Sequence, residues 1–473
     1  MKFSTGDCPT KVREKFESFG QEDIFRFWET LSGSEKDHLV NQLISIDLGE
    51  CSRALDDIAR PMNANGQISP PSGVIKRDQS GADMADYNQL GEELLSQGKV
   101  AAFTVAGGQG SRLGHDGPKG TFACGPITGN TLFQHFAESL IFYSKKFSIT
   151  PLWLVMTSPS NHSQTCEYFK KSNFFGLPKN RVKIFSQGTL PVFNEKGKFI
   201  LESKFKIATS PNGHGGSLQA LEVSGCLELM KEEGVDFLSY FQVDNPLVYC
   251  LDPTFIGLHA SQNADMSSKA VSKENAEEKV GIFIEESERL RVLEYSDLPN
   301  NLINAKDKNG FLKFDLGNIA IHMFSRDFIE KLTRALPQSK RLPYHAAHKK
   351  VPYIDEKGRL RAPNQPNGIK AEMFVFDALP LAQNNQILKV SRSEEFAPIK
   401  NAFGADSIKS SIKLQLARSQ VWQGAAGGTR LKGDVEISPL YAPTQAYFIE
   451  EYTRGTSFNL KKTNKGTLWR PTP

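Results

Sequence analysis

Residues 105–120 read VAGGQGSRLGHDGPKG. Six glycines, one proline, one arginine and one lysine follow directly on a compact apolar run, VAAFTVA at 100–106. Such a run, bounded by glycine, predicts a buried strand. Glycines after a strand let backbone N–H groups approach an anion with no Cβ in the way. Arg112 adds a planar fork suited to phosphate, and Lys119 a compact charge beside a proline. Two familiar phosphate motifs fail on spacing. A dinucleotide fingerprint needs glycine where Leu113 stands, and a P-loop needs the lysine after the last glycine, whereas Lys119 precedes Gly120.

Outward from the loop, strands and helices alternate. TLFQHFAESLIFYSKK (131–146) reads as a helix that Asn130 or Thr131 can cap, PLWLVMTS (151–158) as a strand, NHSQTCEYFKKS (161–172) as a helix and RVKIFSQ (181–187) as a strand. LEVSGCLELMKEEG (221–234) reads as helical and FLSYFQVD (237–244) as a strand ending in Asp244. This alternation predicts an α/β fold with a mainly parallel sheet, whose ligands gather at the carboxyl ends of its strands. KVGIFIEE and LRVLEYSD read as paired strands and FDLGNIAIHMF (314–324) as another. Upstream, residues 11–60 read as helical, EDIFRFWETL (22–31) presenting one apolar face, and 63–83 as a Gly/Pro/Ser-rich connector.

Composition narrows the function classes. With 57 Lys+Arg against 53 Asp+Glu the net charge is +4, too small a surplus in 473 residues to point to nucleic acid. The six cysteines show no metal-like spacing, so free thiols in a cytoplasmic protein are expected. MKFSTGDCPTKVREKF lacks a signal-peptide core and no run approaches the roughly 20 apolar residues of a membrane span.

The glycine loop resembles the signature of the UDP-sugar pyrophosphorylases, in particular the UDP-N-acetylglucosamine type. SQGTLPVF (186–193), SPNGHGGSLQAL (210–221), FQVDNPLVYCLDP (241–253), EYSD (294–297), GNIAIH (317–322), YHAAHKKVPYID (344–355), PNGIKAEMFVFD (366–377), EEFAPIKNAFGA (394–405) and GDVEISPL (433–440) are similar to that family in the same order, over roughly 90–445. The resemblance implies a nucleotide-diphospho-sugar-transferase-like (Rossmann-like) core at 91–405, a helical region at 1–90 and a small C-terminal domain at 406–473. It implies a uridylyltransferase coupling UTP to a sugar 1-phosphate, with pyrophosphate as co-product and Mg²⁺, or Mn²⁺ in its place, as cofactor.

Site roles come with the resemblance. Val105, Ala106, Gly107 and Gly108 are implied to contact the nucleotide, Arg112 and Lys119 to grip the triphosphate, and Gln187 to read the uracil. Gly213 and Lys370 join the UTP site; Glu294, Asn318 and Lys400 join the sugar-phosphate site, Lys400 with a catalytic role beside Arg112 and Lys119. Asp244 is implied as the metal carboxylate, a typical single protein ligand for Mg²⁺. His214 stands where the family has asparagine, in NGNGG, and Met373 where it often has lysine. His345 and His348 match a segment without catalytic role, expected as surface helix.

N-acetylglucosamine 1-phosphate is the sugar the resemblance favours. UDP-glucose synthesis or broader specificity is the alternative, and a UDP-sugar-binding protein without turnover is a third reading, motivated by His214. A nicotinamide dehydrogenase is disfavoured by the broken glycine fingerprint.

Overall fold

The run read as a buried strand, Val100–Val105, is central to an extended sheet in the computed structural model, which describes residues 9–60, 67–78, 82–295, 297–335, 341–427, 431–456 and 458–471. Cys8 and part of the 63–83 connector lie outside the described residues. The sheet strands are β1 (Ile75–Lys76), β2 (Val100–Val105), β3 (Trp153–Thr157), β4 (Val182–Ser186), β5 (Phe237–Gln242), β6 (Met266–Ser272), β7 (Leu316–Ser325) and β8 (Asn385–Lys389), in the spatial order β1-β8-β6-β7-β5-β2-β3-β4. Neighbours pair in parallel except β7, which runs antiparallel to both β5 and β6.

That topology gathers one edge. The carboxyl ends of β2, β3, β4 and β5 point the same way, so the glycine loop, the turn after Thr157 and Asp244 emerge together. Because β7 is reversed, its beginning lands on the edge where β6 ends, with Gly317 opposite Val271 and Asn318 opposite Ala270. The hairpin of Ile282–Glu286 and Arg289–Leu293, paired as expected, joins through the pair Ile282 and Gly317.

Aromatic packing holds the sheet to its helices. Phe133, Phe136, Trp153, Phe169 and Phe241 are fully buried in one cluster. The ring of Phe133 lies 4.9 Å from that of Phe169, and Phe136 5.2 Å from Phe241. Trp153 satisfies its buried indole N–H on Thr104 Oγ1 of the neighbouring strand at 2.9 Å. The helix Leu132–Phe147 starts where expected, Thr131 accepting from the Gln134 N–H.

Glu138 on that helix is an uncommon buried carboxyl. Its Oε1 accepts from Asn130 (2.7 Å) and Gln134 (3.2 Å), and Ser438 meets Oε2 at 3.1 Å. Burial pushes its pKa up to about 7, Glu436 adds to the rise, and the three donors oppose it. Between the ordinary carboxyl value near 4.5 and about 7, the native state keeps a proton that the unfolded chain has released. Stability therefore falls as pH rises through that window. Glu138→Gln, uncharged throughout, should gain on the wild type by on the order of 3 kcal/mol between pH 4.5 and pH 8, at about 1.36 kcal/mol per pKa unit. Urea unfolding at both pH values measures this; a constant difference between the two proteins contradicts it.

The chain forms two compact units. The sheet belongs to residues 64–186, 220–331 and 378–473; the smaller unit comprises 1–63, 187–219 and 332–377. Within the smaller unit, two expectations about local structure change. EDIFRFWETL forms two short 3₁₀ turns, Glu22–Phe25 and Trp28–Thr30, not one helix. Its aromatic residues are weak helix formers, and Arg26 is pinned outward to the Ile354 carbonyl at 2.6 Å. His345 and His348 lie on a strand, Tyr344–Lys349, antiparallel to Gly368–Met373, so the segment around Lys370 is a strand as well. Pairing with Gly368–Met373 at six positions makes the segment a strand, and three residues apart on a strand the two histidines point to opposite faces. In the sheet unit, residues 221–234 divide into Gly216–Val223 and Cys226–Glu232 because Gly225 takes φ +74°.

Candidate active site

The loop after β2 is braced from one side. Asn161, 1 % exposed, donates to the carbonyls of Ala106 (2.9 Å) and Gly108 (3.1 Å), and Ser158 Oγ donates to that of Gly107 at 2.7 Å. With three carbonyls tied down, the N–H groups of Gly107 and Gly108 make no hydrogen bond to the described residues. A strand-end nest of such amides suits an anion. Further along, Gly110 N–H donates to the Gly117 carbonyl (2.9 Å) and Lys119 N–H to that of Gly108 (3.0 Å), closing the loop on itself.

The glycines have different duties. Gly108 is exposed, with room for a ligand against its backbone. Gly120 is structural, since a Cβ there would lie 2.1 Å from the Phe133 ring. Gly114 and Gly117 take φ +70° and +141°, which a side chain would strain.

Cationic groups project from this frame. Arg112 is exposed and makes no ion pair with the described residues. Lys119 Nζ donates to Asp244 Oδ2 at 3.2 Å, both side chains mostly buried. Asp244 stands two residues beyond β5, tied to β2 through Val243 N–H and the Val105 carbonyl at 3.0 Å. Lys400 follows at once, because Ile399 N–H donates to the Asp244 carbonyl at 2.9 Å. Its side chain is 46 % exposed, with the ammonium 3.8 Å from Asp406 Oδ2. Among the described residues no three His, Cys, Asp or Glu form a metal cluster. Asp244 offers a single carboxylate, a donor that suits a hard cation taking its other oxygens from phosphate and water.

Glu294 and Asn318 converge on Gly281. Asn318 N–H donates to the Gly281 carbonyl at 2.8 Å, and a Cβ on Gly281 would sit 3.2 Å from Glu294 Oε1. Asn318 Oδ1 also accepts from Ala320, which takes φ +55°. Ser158, Asn161 and Asn245 went unread in the sequence as site residues. The turn TSPSN after β3 was the available signal for the first two.

The smaller unit holds Gln187, Gly213, His214 and Lys370. Gln187 is buried, directly after β4. Gly213 takes φ +82°, and a Cβ there would meet the Met373 carbonyl oxygen at 2.4 Å, so this loop packs backbone to backbone on the end of Gly368–Met373. Lys370 is half-buried on that strand, opposite Ala347. His214 stacks on Phe374 (5.4 Å), which stacks in turn on His345 (4.4 Å). The Val375 N–H donates to His214 Nδ1 at 3.2 Å, leaving the proton on Nε2. Burial, then the nearby His345, lowers its pKa to about 4, so the ring is neutral across the working pH range. His345 gives its own Nε2 to Asp377 at 2.7 Å.

Residues 65–439 match the profile of a family described as UTP--glucose-1-phosphate uridylyltransferase. The chain belongs to this family. It is 33% identical to UDP-N-acetylglucosamine diphosphorylase 2 of Arabidopsis thaliana, over 94% of this chain and 92% of that one. It is 37% identical to UDP-N-acetylhexosamine pyrophosphorylase-like protein 1 of Homo sapiens, covering 88% and 85%. Its fold matches the uridine diphosphate N-acetylglucosamine pyrophosphorylase of Trypanosoma brucei, solved with an inhibitor, with TM-score 0.80, 25% identity and coverage of 95% and 96%. The expected nucleotidyltransferase-like α/β fold and enzyme class both stand on these likenesses. Five of the six cysteines are described and all are free thiols. Among the described residues no helix is long and apolar enough to cross a membrane.

Proposed function

We propose that the protein joins UTP to N-acetylglucosamine 1-phosphate, giving the UDP-sugar and pyrophosphate. One observation carries the reading: the tied-back loop 106–108 presents two amides beside Lys119, Asp244 and Lys400 at one sheet edge. Such a set suits phosphoryl chemistry, because it supplies positioning and charge neutralisation without a nucleophile or base of its own.

In the proposed step, a phosphate oxygen of the sugar 1-phosphate bonds to the α-phosphorus while the bond to the bridging oxygen of pyrophosphate breaks. The second ionisation of a phosphate monoester falls near pH 6, so the attacking oxygen is already anionic and no general base is required. The amides of Gly107 and Gly108, with Val105 and Ala106 leading into them, are assigned to phosphate oxygens of UTP. Arg112 and Lys119 are assigned to the triphosphate, and Lys400 to the phosphate joining nucleotide and sugar. Asp244 would hold Mg²⁺ or Mn²⁺, which supplies charge neutralisation on the phosphates when bound. Glu294 and Asn318, brought together at Gly281, are assigned to sugar hydroxyls.

In the smaller unit, Gln187 is assigned to the uracil edge, its amide offering both a donor and an acceptor. Gly213 is assigned to the nucleotide, Lys370 to phosphate, and His214 Nε2–H to the sugar phosphate as a neutral donor of fixed direction.

Supply of UTP, Mg²⁺ and a panel of sugar 1-phosphates, with pyrophosphate release measured, tests the reading. Release with N-acetylglucosamine 1-phosphate should exceed that with glucose 1-phosphate by at least about 10-fold in kcat/KM, within what one substituent's contacts supply. Preference for glucose 1-phosphate would follow the family description and overturn the sugar assignment. No release with any sugar would leave binding without turnover.

A further inference from the structure

We infer that Asn245 is a positioning residue for the reaction: its side chain fixes the segment bearing Lys400 against Asp244. The inference rests on the roles proposed above for those two residues. Asn245 is 4 % exposed. Its Nδ2 donates to the Glu395 carbonyl at 2.6 Å, and its Oδ1 accepts from the N–H of Ala397 at 3.0 Å and of Leu247 at 3.2 Å. One amide thus grips a chain segment 150 residues away at two points.

Apart from the buried side chains of Phe396, Ala397 and Ile399, the segment is held by individual hydrogen bonds and not by a sheet or helix ladder. Residues 396–400, FAPIK, belong to no strand or helix, and Pro398 has no N–H to give. The remaining N–H groups are all spoken for. Ala397 donates to Asn245, Ile399 to the Asp244 carbonyl (2.9 Å) and Lys400 to the Asp406 carbonyl (2.7 Å). Ser411 Oγ holds the Ala397 carbonyl at 2.8 Å from behind. Asp244, by contrast, is fixed independently through Val243 and β2. Loss of the Asn245 amide should therefore displace Lys400 more than Asp244.

The chemistry requires an amide. The site needs a donor toward one carbonyl and an acceptor toward two N–H groups on one short arm, which asparagine alone of the side chains of this size provides. Aspartate would keep the acceptor and turn a lone pair onto the Glu395 carbonyl.

A double-mutant cycle tests this with the full chain, UTP, N-acetylglucosamine 1-phosphate and Mg²⁺. Lys400→Ala should lower kcat by about 10²–10³-fold as a charge-stabilising donor. Asn245→Ala should lower kcat by about 10²-fold, the usual cost of displacing a reacting group by about 1 Å, with KM for UTP changed less than about threefold. In the Lys400→Ala background the same Asn245→Ala change should cost less than about threefold, since the group it places is gone. Asn245→Asp should resemble Asn245→Ala, and it replaces that variant in the cycle should Asn245→Ala fail to fold. An equal fold-loss in both backgrounds, or a near-normal rate for a folded Asn245 variant, overturns the inference while leaving the proposed site intact. A near-normal rate for Lys400→Ala instead overturns the role given to Lys400, and the inference with it.

Discussion

Asp244→Ala should reduce Mg²⁺-dependent turnover by on the order of 10³-fold, the largest effect on activity expected from one substitution. A metal that neutralises phosphate charge supplies several kcal/mol, at about 1.4 kcal/mol per tenfold in rate. Asp244 is the carboxylate proposed to hold it, mostly buried beyond β5 and facing Lys119 Nζ at 3.2 Å. The loss should fall on kcat, since the contacts proposed for UTP at the loop amides, Arg112 and Lys119 are left in place. Asp244→Asn separates charge from shape. It can still accept from Lys119 and leaves the backbone bond to Ile399 untouched, so a loss nearly as large as that of alanine assigns the effect to the missing charge. A folded Asp244→Ala enzyme within about tenfold of the wild-type rate at saturating Mg²⁺ would remove Asp244 from the metal site.

How far such a site can be read from sequence depends on the range of the forces that build it. β2, the Thr131-capped helix and the 282–293 hairpin were legible because their patterns are local: an apolar run, a cap followed by a 3.6 period, and two short apolar segments close together in the chain. The strand Tyr344–Lys349 was not legible. Its histidines and alanines carry no strand signal, and only pairing with Gly368–Met373 decides its form. The reversed direction of β7, which brings Asn318 to the ligand edge, is likewise set by neighbours and not by its own residues. Within the glycine loop, the sequence showed six equivalent glycines, whereas Gly120 serves the Phe133 ring and Gly107 and Gly108 the loop's open amides. Asp244 stood out as an acid at a strand end. Asn245 beside it looked like an ordinary turn residue, because its partners lie at 395 and 397.

The largest loss of stability is expected at Lys269, for a reason that also bears on the site. Lys269, fully buried on β6, donates to Asp252 Oδ2 at 2.5 Å and to Glu395 Oε2, while Arg77 donates to the same Asp252 Oδ2. Burial alone would raise the Asp252 pKa; Arg77 first and Lys269 second bring it down to about 2. Lys269→Met keeps the length of the arm and removes the charge, leaving two buried carboxylates with Arg77 alone. Breaking a buried pair in this way costs about 3–5 kcal/mol. Its pH dependence has a definite sign. In the wild type the depressed Asp252 contributes stability that is present above its ordinary value near 3.8 and lost toward pH 2. Without Lys269, Asp252 loses the second of the two cations that depress it, so the penalty should be full at pH 8 and smaller at pH 3, inside the window where the unfolded chain takes up the proton. Adding Glu395→Gln should recover part of the loss by removing one uncompensated charge. Because the Glu395 carbonyl is also the acceptor for Asn245, Lys269→Met should slow turnover even at temperatures where it remains folded. Urea unfolding at the two pH values is the measurement, and a destabilisation below about 1 kcal/mol at pH 8, the size of an exposed ion pair, would show that this cluster is not what holds the segment in place.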